Sequence, residues 1–207
     1  MKTPKFWTGL SWQAVLLYPF TFLWKFGNYL RQRNAQPEKS TLAVICVGNL
    51  TVGGSGKTPV AITLCRFLSG IGKNPCVLTR GFGGNEKGPV FVDTGFHTSS
   101  DVGDEPLMMA NSISVCVSRN RPKGAAFIST EKHLDCIVMD DGLQNPTLEK
   151  NLKIAVFDGK IGIGNGLLLP AGPMREKLNE GITNIDLVIF NGEDETGLSS
   201  KIPSHIP

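Results

Sequence analysis

Histidine is scarce. The chain has only His97, His133 and His205, isolated from one another, and none is spaced with a cysteine as a zinc site requires. Each reads as a surface residue. Cysteine is limited to Cys46, Cys65, Cys76, Cys116 and Cys136, an odd number with no C-x-x-C pair. Four of the five lie in apolar, strand-like runs, as small buried hydrophobes in a reducing compartment do. An excess of one charge is also missing. Twenty-one Lys+Arg against 18 Asp+Glu leave +3, too weak a field to argue for nucleic acid. The 24 Gly and 13 Pro have no G-X-Y period, which excludes collagen, and there is no internal repeat or low-complexity tract. With 41% hydrophobic and 19% charged residues, a disordered chain and a coiled coil are excluded as well. What remains is globular: one large domain, or one domain and part of a second, long enough to bury a core without staples.

Charge is absent between Lys5 and Lys25, and no Trp or Tyr occurs after Tyr29. Residues 6–30 therefore differ from the rest. A transmembrane helix needs about 20 apolar residues, and here Gly9, Ser11, Gln13, Pro19 and Thr21 dilute a barely sufficient length. As a signal peptide, with Lys2 and Lys5 as its basic region, it lacks a small-x-small cleavage site. A helix lying in the membrane interface suits Trp and Tyr, with Lys25, Arg31 and Arg33 facing anionic head groups. A terminal helix packed on its own domain is the remaining alternative.

A polar linker, 34–41, follows. From Leu42 the pattern alternates: strand, Gly-rich turn, helix. Strands are expected at 42–47, 75–79, 89–93, 113–118, 136–140, 153–158 and 186–190, and helices at 59–71, 106–111 and 122–130. This alternation predicts an α/β fold with a mostly parallel sheet and helices on both faces, preceded by the aromatic N-terminal helix. The division expected is 1–33, 34–41, 42–191 and a polar tail, 192–207.

The strongest motif joins a buried strand to a helix: Gly48-Asn49-Leu50-Thr51-Val52-Gly53-Gly54-Ser55-Gly56-Lys57-Thr58. It differs from G-x-x-x-x-G-K-[ST] only in Thr51 replacing the first glycine. Gly53, Gly54 and Gly56 let backbone amides turn inward, and the helix adds its positive end. Lys57 is placed to bridge β- and γ-phosphates, and the Thr58 hydroxyl to ligate Mg²⁺. This is a P-loop nucleotide cradle, of residues 53–58. Some dimerising P-loop ATPases carry a lysine just before the paired glycines, and Val52 occupies that place here, which weakens that reading.

Acidic residues are expected at a neighbouring strand end, and Asp140 and Asp141 follow C-I-V-M there, either for a metal shell or for a turn. Asp101, Asp104 and Glu105 cluster before a helix, fitting either a proton-accepting carboxylate or helix-start charge. Arg80-Gly81-Phe82-Gly83-Gly84 has the form of a substrate or phosphate loop, and Arg119 and Arg121 follow a strand end where ligands gather. A rigid turn, Leu169-Pro170-Ala171-Gly172-Pro173-Met174-Arg175, positions a cation.

Taken in order, G-N-L-T-V-G-G-S-G-K-T-P, R-G-F-G-G, V-G-D-E-P, D-D-G-L-Q and N-G-L-L-L-P-A-G-P-M-R-E resemble the tetraacyldisaccharide 4'-kinases, the lipid A 4'-kinases of Gram-negative bacteria, as far as about Asn191. The resemblance implies transfer of the ATP γ-phosphate to the 4'-hydroxyl of a tetraacylated glucosamine disaccharide 1-phosphate. It also implies Mg²⁺, the cytoplasmic face of the inner membrane and a membrane-associating N-terminus; no protein partner is evident in the sequence. It carries Lys57 and Thr58 over as the P-loop pair, Asp104 as the catalytic carboxylate, Glu105, Asp140 and Asp141 as groups around the metal, and Arg175 as an arginine near the phosphates. Two departures stand out. Asn145 occupies the place of a family histidine and cannot titrate near neutrality. The family also continues into a second α/β domain that supplies a histidine partner to the catalytic Asp, whereas this chain ends at Pro207. Two alternatives are therefore a nucleotide-binding module without turnover and a membrane-bound P-loop ATPase switch.

Overall fold

A computed structural model describes residues 4–207. The opening of the 1–33 span, with Lys2, lies outside the described residues. In chain order the elements are α1 (Trp12–Leu17), α2 (Phe20–Arg33), β1 (Ala43–Gly48), α3 (Lys57–Gly70), β2 (Pro75–Thr79), β3 (Val90–Phe91), α4 (Ser99–Val102), α5 (Asp104–Ala110), β4 (Ser114–Val117), α6 (Arg121–Ile128), β5 (Cys136–Asp140), β6 (Leu152–Asp158), α7 (Leu178–Ile182) and β7 (Leu187–Asn191). The chain forms two compact units, one of residues up to Ala35 with Gly48–Gly56 and Lys153–Pro207, the other of Gln36–Val47 and Lys57–Leu152.

In the second of these units the strands run β3-β4-β2-β5-β1. All neighbours are parallel except β3, which pairs antiparallel with β4. Strands β2 and β5 are buried along their whole length, the reason their sequences are continuous apolar runs rather than alternating ones. Their side chains meet Ala125 and Ile128 of α6 in one cluster, with Val44, Cys76, Leu78, Ile137 and Met139 fully or almost fully enclosed. All five cysteines are free and buried, as their apolar surroundings imply. Glu38, in the expected linker, exchanges backbone hydrogen bonds with Thr147 and Glu149, so this stretch is pinned to the unit.

In the other unit β6 and β7 pair in parallel from Ile154↔Leu187 to Asp158↔Asn191. The polar tail folds back on them. Val188 N–H donates to the Pro207 carbonyl at 2.9 Å, and Leu198 is buried. At the N-terminus the aromatic stretch is two helices rather than one, because Pro19, without an N–H, separates α1 from α2. Among the described residues no helix is long and apolar enough to cross a membrane. Part of this segment is packed. Trp7 Nε1 donates to the Pro170 carbonyl at 3.1 Å, Trp24 Nε1 and Asn28 Nδ2 donate to the Arg175 carbonyl at 2.9 and 3.2 Å, and Lys25 pairs with Glu180 at 3.0 Å. The rest is bare: Trp12, Val15, Leu16, Phe22, Leu23 and Phe26 are each at least 60% exposed.

Candidate functional site

Lys57 and Thr58 form the first turn of α3, so the helix begins two residues before Pro59 and its positive end lies at the lysine. Thr58 Oγ1 donates to Glu105 Oε2 at 3.4 Å. Asp104 and Glu105 are the first two residues of α5, directly after Gly103, which has φ +93°. A side chain at Gly103 would strike the Phe82 carbonyl, and one at Gly84 would come within 2.5 Å of the Asp101 carbonyl oxygen. The glycines of R-G-F-G-G thus let that loop lie against the backbone leading into α5. Asp101 is used differently. Its carboxylate accepts from the Thr98 hydroxyl and amide at 2.7 and 2.8 Å, and those bonds hold its pKa below the usual carboxylate value. Of the three clustered carboxylates, then, Asp101 caps α4, while Asp104 and Glu105 stay exposed at the start of α5.

Asp140 closes β5 opposite Val47 and is 4% exposed. Its Oδ1 is buried with no hydrogen-bond partner among the described residues. Burial raises its pKa to about 6, aided by the negative charges of Asp141 and Glu105 and opposed by Lys57 and Arg121. Asp141 adopts a left-handed backbone, φ +49°, and its N–H donates to the Val47 carbonyl at 2.9 Å. A non-glycine residue held there is strained, and such strain gathers at functional positions. Arg121, expected from the sequence at a strand end where ligands gather, is a further buried ion, 2% exposed. Its guanidinium donates to the Asp140 carbonyl at 3.0 Å and the Ser118 carbonyl at 3.5 Å. Burial, then repulsion from Arg80, lowers its pKa to about 10. Arg119 donates to the Gly84 carbonyl at 3.0 Å. Asn145 accepts through Oδ1 from the Thr147 amide and hydroxyl, both at 3.1 Å, which folds the turn after β5.

These oxygens fit a hard divalent cation. An unpaired buried carboxylate oxygen and a hydroxyl–carboxylate pair are hard ligands, and Mg²⁺ takes one or two carboxylates and completes its shell with water and phosphate. Among the described residues no three acidic, histidine or cysteine side chains gather closely enough to hold a metal by themselves.

In the other unit the loop 49–56 is built on buried polar groups. Asn49 Nδ2 donates to Ser55 Oγ at 3.0 Å and to Thr51 Oγ1 at 3.5 Å. Residues 50–52 form a short antiparallel pair with 173–175: Val52 N–H donates to the Pro173 carbonyl and Arg175 N–H to the Leu50 carbonyl, both at 2.8 Å. The N-G-L-L-L-P-A-G-P-M-R-E turn is therefore the scaffold that holds the loop's first half. Gly53 and Gly54 are exposed, whereas Ser55 is buried by its bond to Asn49.

One unit thus brings together Lys57, Thr58, Glu105, Asp140 and Asp141, with Asp104 adjacent to Glu105. The other holds Gly53, Gly54, Ser55, Gly56 and Arg175. Sequence reasoning passed over Asn49 and did not foresee the burial of Arg121. Asn49 had a signal, a polar residue following a buried strand inside a phosphate-loop motif. Arg121 had only its place at a strand end.

A family model described as tetraacyldisaccharide-1-P 4'-kinase matches residues 13–204. The chain belongs to this family. Curated relatives named tetraacyldisaccharide 4'-kinase include those of Parvibaculum lavamentivorans (42% identical over 202 residues, 95% of this chain and 59% of the relative), Methylobacterium nodulans (46% over 200 residues, 95% and 58%) and Rhodospirillum rubrum (43% over 208 residues, 100% and 62%). The chain spans about three-fifths of the length of these relatives. Among solved structures, the crystal structure of LpxK from Aquifex aeolicus in complex with ATP is similar, with TM-score 0.74 and 32% identity over 86% of this chain and 58% of that one. The expected α/β, P-loop fold with a mostly parallel sheet is the fold of this family.

Proposed function

We propose that this chain binds ATP with Mg²⁺ and serves the transfer of its γ-phosphate to the 4'-hydroxyl of a tetraacylated glucosamine disaccharide 1-phosphate. The observation that carries this reading is the buried, unpaired Asp140 carboxylate in the electrostatic company of Lys57, the first residue of the helix after a glycine-rich loop. The family's name and the ATP complex of the similar LpxK support it.

The amides of Gly53, Gly54, Ser55 and Gly56 hold the phosphate chain, and Lys57 offsets charge on its β- and γ-phosphates. Thr58, Glu105, Asp140 and Asp141 would line the magnesium site, some of them through the ion's water shell, and the ion would neutralise charge on the phosphate oxygens. Asp104 accepts the proton of the 4'-hydroxyl as its oxygen bonds to the γ-phosphorus and the bond to the departing ADP breaks. Arg175 takes up negative charge on the transferring group. The bare apolar faces of α1 and α2, within residues 6–30, rest on the cytoplasmic face of a Gram-negative inner membrane. An acceptor with four acyl chains is held in such a membrane by about 0.8 kcal/mol per buried CH₂.

Binding and transfer are tested separately. Calorimetry on residues 1–207 measures Mg·ATP affinity, and ³²P transfer measures product. Lys57→Ala lowers transfer by about 10²-fold or more in a protein that turns over. Unchanged transfer in that variant overturns the loop assignment. ATP binding without product reduces the chain to a nucleotide-binding module. ATP hydrolysis stimulated by a protein partner without lipid revives the switch.

A further inference from the structure

Asn191 ends β7, paired across the parallel ladder with Asp158, the last residue of β6. Its peptide is fixed, the carbonyl accepting from Gly159 N–H at 3.1 Å. Its carboxamide is exposed and makes no hydrogen bond among the described residues. It also lies directly on Gly56. A carbon built on Gly56 would clash with Asn191 Nδ2 and sit 2.9 Å from its Cγ. Gly56 has φ +83°, so position 56 needs glycine both for its backbone and for the room Asn191 takes. The carboxyl ends of parallel strands are where ligands of such sheets lie. A nucleotide with its phosphates on this loop must lead its sugar and base away from it, and an unspent carboxamide stands there.

We propose, on the nucleotide reading above, that Asn191 reads the base: Oδ1 accepts from the adenine 6-amino group while Nδ2 donates to N7. A carboxamide offers one donor and one acceptor side by side, which matches that edge of adenine. Guanine shows two acceptors there, O6 and N7, so Oδ1 would face a lone pair. A guanine reader also needs an acceptor for N1–H and the 2-amino group. Asp194, three residues on, has both oxygens committed, Oδ1 to the Thr196 amide and hydroxyl at 3.0 and 2.8 Å and Oδ2 to the Ser199 amide at 2.7 Å.

The probes are ATP, GTP and 7-deaza-ATP, which lacks the N7 acceptor, titrated calorimetrically with Mg²⁺ into the 207-residue protein. The wild type binds ATP on the order of tenfold more tightly than either analogue. Asn191→Ala binds all three alike, near the wild-type affinity for 7-deaza-ATP. Asn191→Asp, which keeps an acceptor and loses the donor, no longer distinguishes ATP from 7-deaza-ATP. Unaltered selectivity in Asn191→Ala overturns the proposal. So does an equal loss for all three nucleotides, which leaves Asn191 a mere support of Gly56. Indifference of the wild type to 7-deaza-ATP overturns it without any variant. A wild type that binds none of the three refutes the nucleotide reading itself, a separate result.

Discussion

Asp140 is a carboxylate kept out of water at a strand end, and its pKa is set by that enclosure. Because the folded value, about 6, exceeds the ordinary 3.8, the native protein holds a proton that the unfolded chain has released between those pH values. Stability therefore falls as pH rises through about 4 to 6. Asp140→Asn removes the charge. In the absence of metal and nucleotide it is expected to be more stable than wild type by about 1–3 kcal/mol above pH 6.5 and by little at pH 4. Thermal melts across this range check it, and a pH-independent difference contradicts it. Gly56→Ala meets two obstacles, a left-handed backbone worth about 1–2 kcal/mol and the Asn191 side chain. Adding Asn191→Ala is expected to restore the steric share alone, as read from denaturant midpoints of the single and double variants. The place of Lys57 and Thr58 where a glycine-rich loop meets a helix was legible because that junction is local, a strand behind and a helix ahead. The enclosure of Asp140 and Arg121 was not, because it depends on strands and a helix far apart in sequence.

The elements divide along similar lines. Strands β2 and β5 coincide with their apolar runs because both faces are buried and every residue had to be hydrophobic or small. Helices α4 and α7, of four and five residues, are too short to show a period. Strand β3, expected over five residues, keeps only Val90 and Phe91, as suits a short antiparallel edge. The aromatic segment gave its composition plainly but not its break at Pro19 or its partners. Phe22 and Phe26, one turn apart on α2, are 65% and 60% exposed. Replacing both with Glu is expected to abolish flotation with anionic phospholipid vesicles and leave the melting temperature within about 2 °C, since surface changes move stability by about 0.5 kcal/mol or less. Persistent flotation would place the membrane contact elsewhere.

For the molecule as a whole, two bulk measurements follow. With every cysteine buried, a thiol reagent such as DTNB is expected to find none reactive in the native protein and all five after denaturation. Mg·ATP at a hundred times its Kd is expected to add about 2.7 kcal/mol to unfolding stability, seen as a raised melting temperature, and no rise with ATP would count against nucleotide binding. One hydrogen-bonded line within the unit has a further use. The Trp24 indole holds the carbonyl of Arg175, whose own N–H holds the carbonyl of Leu50. With Trp7 and Trp12 changed to Phe, Trp24 becomes a lone fluorophore wired to the backbone of the phosphate loop. Its emission colour gives the protein a built-in optical gauge: a red shift signals that α2 has let go of residue 175, and a steady spectrum that the line is intact.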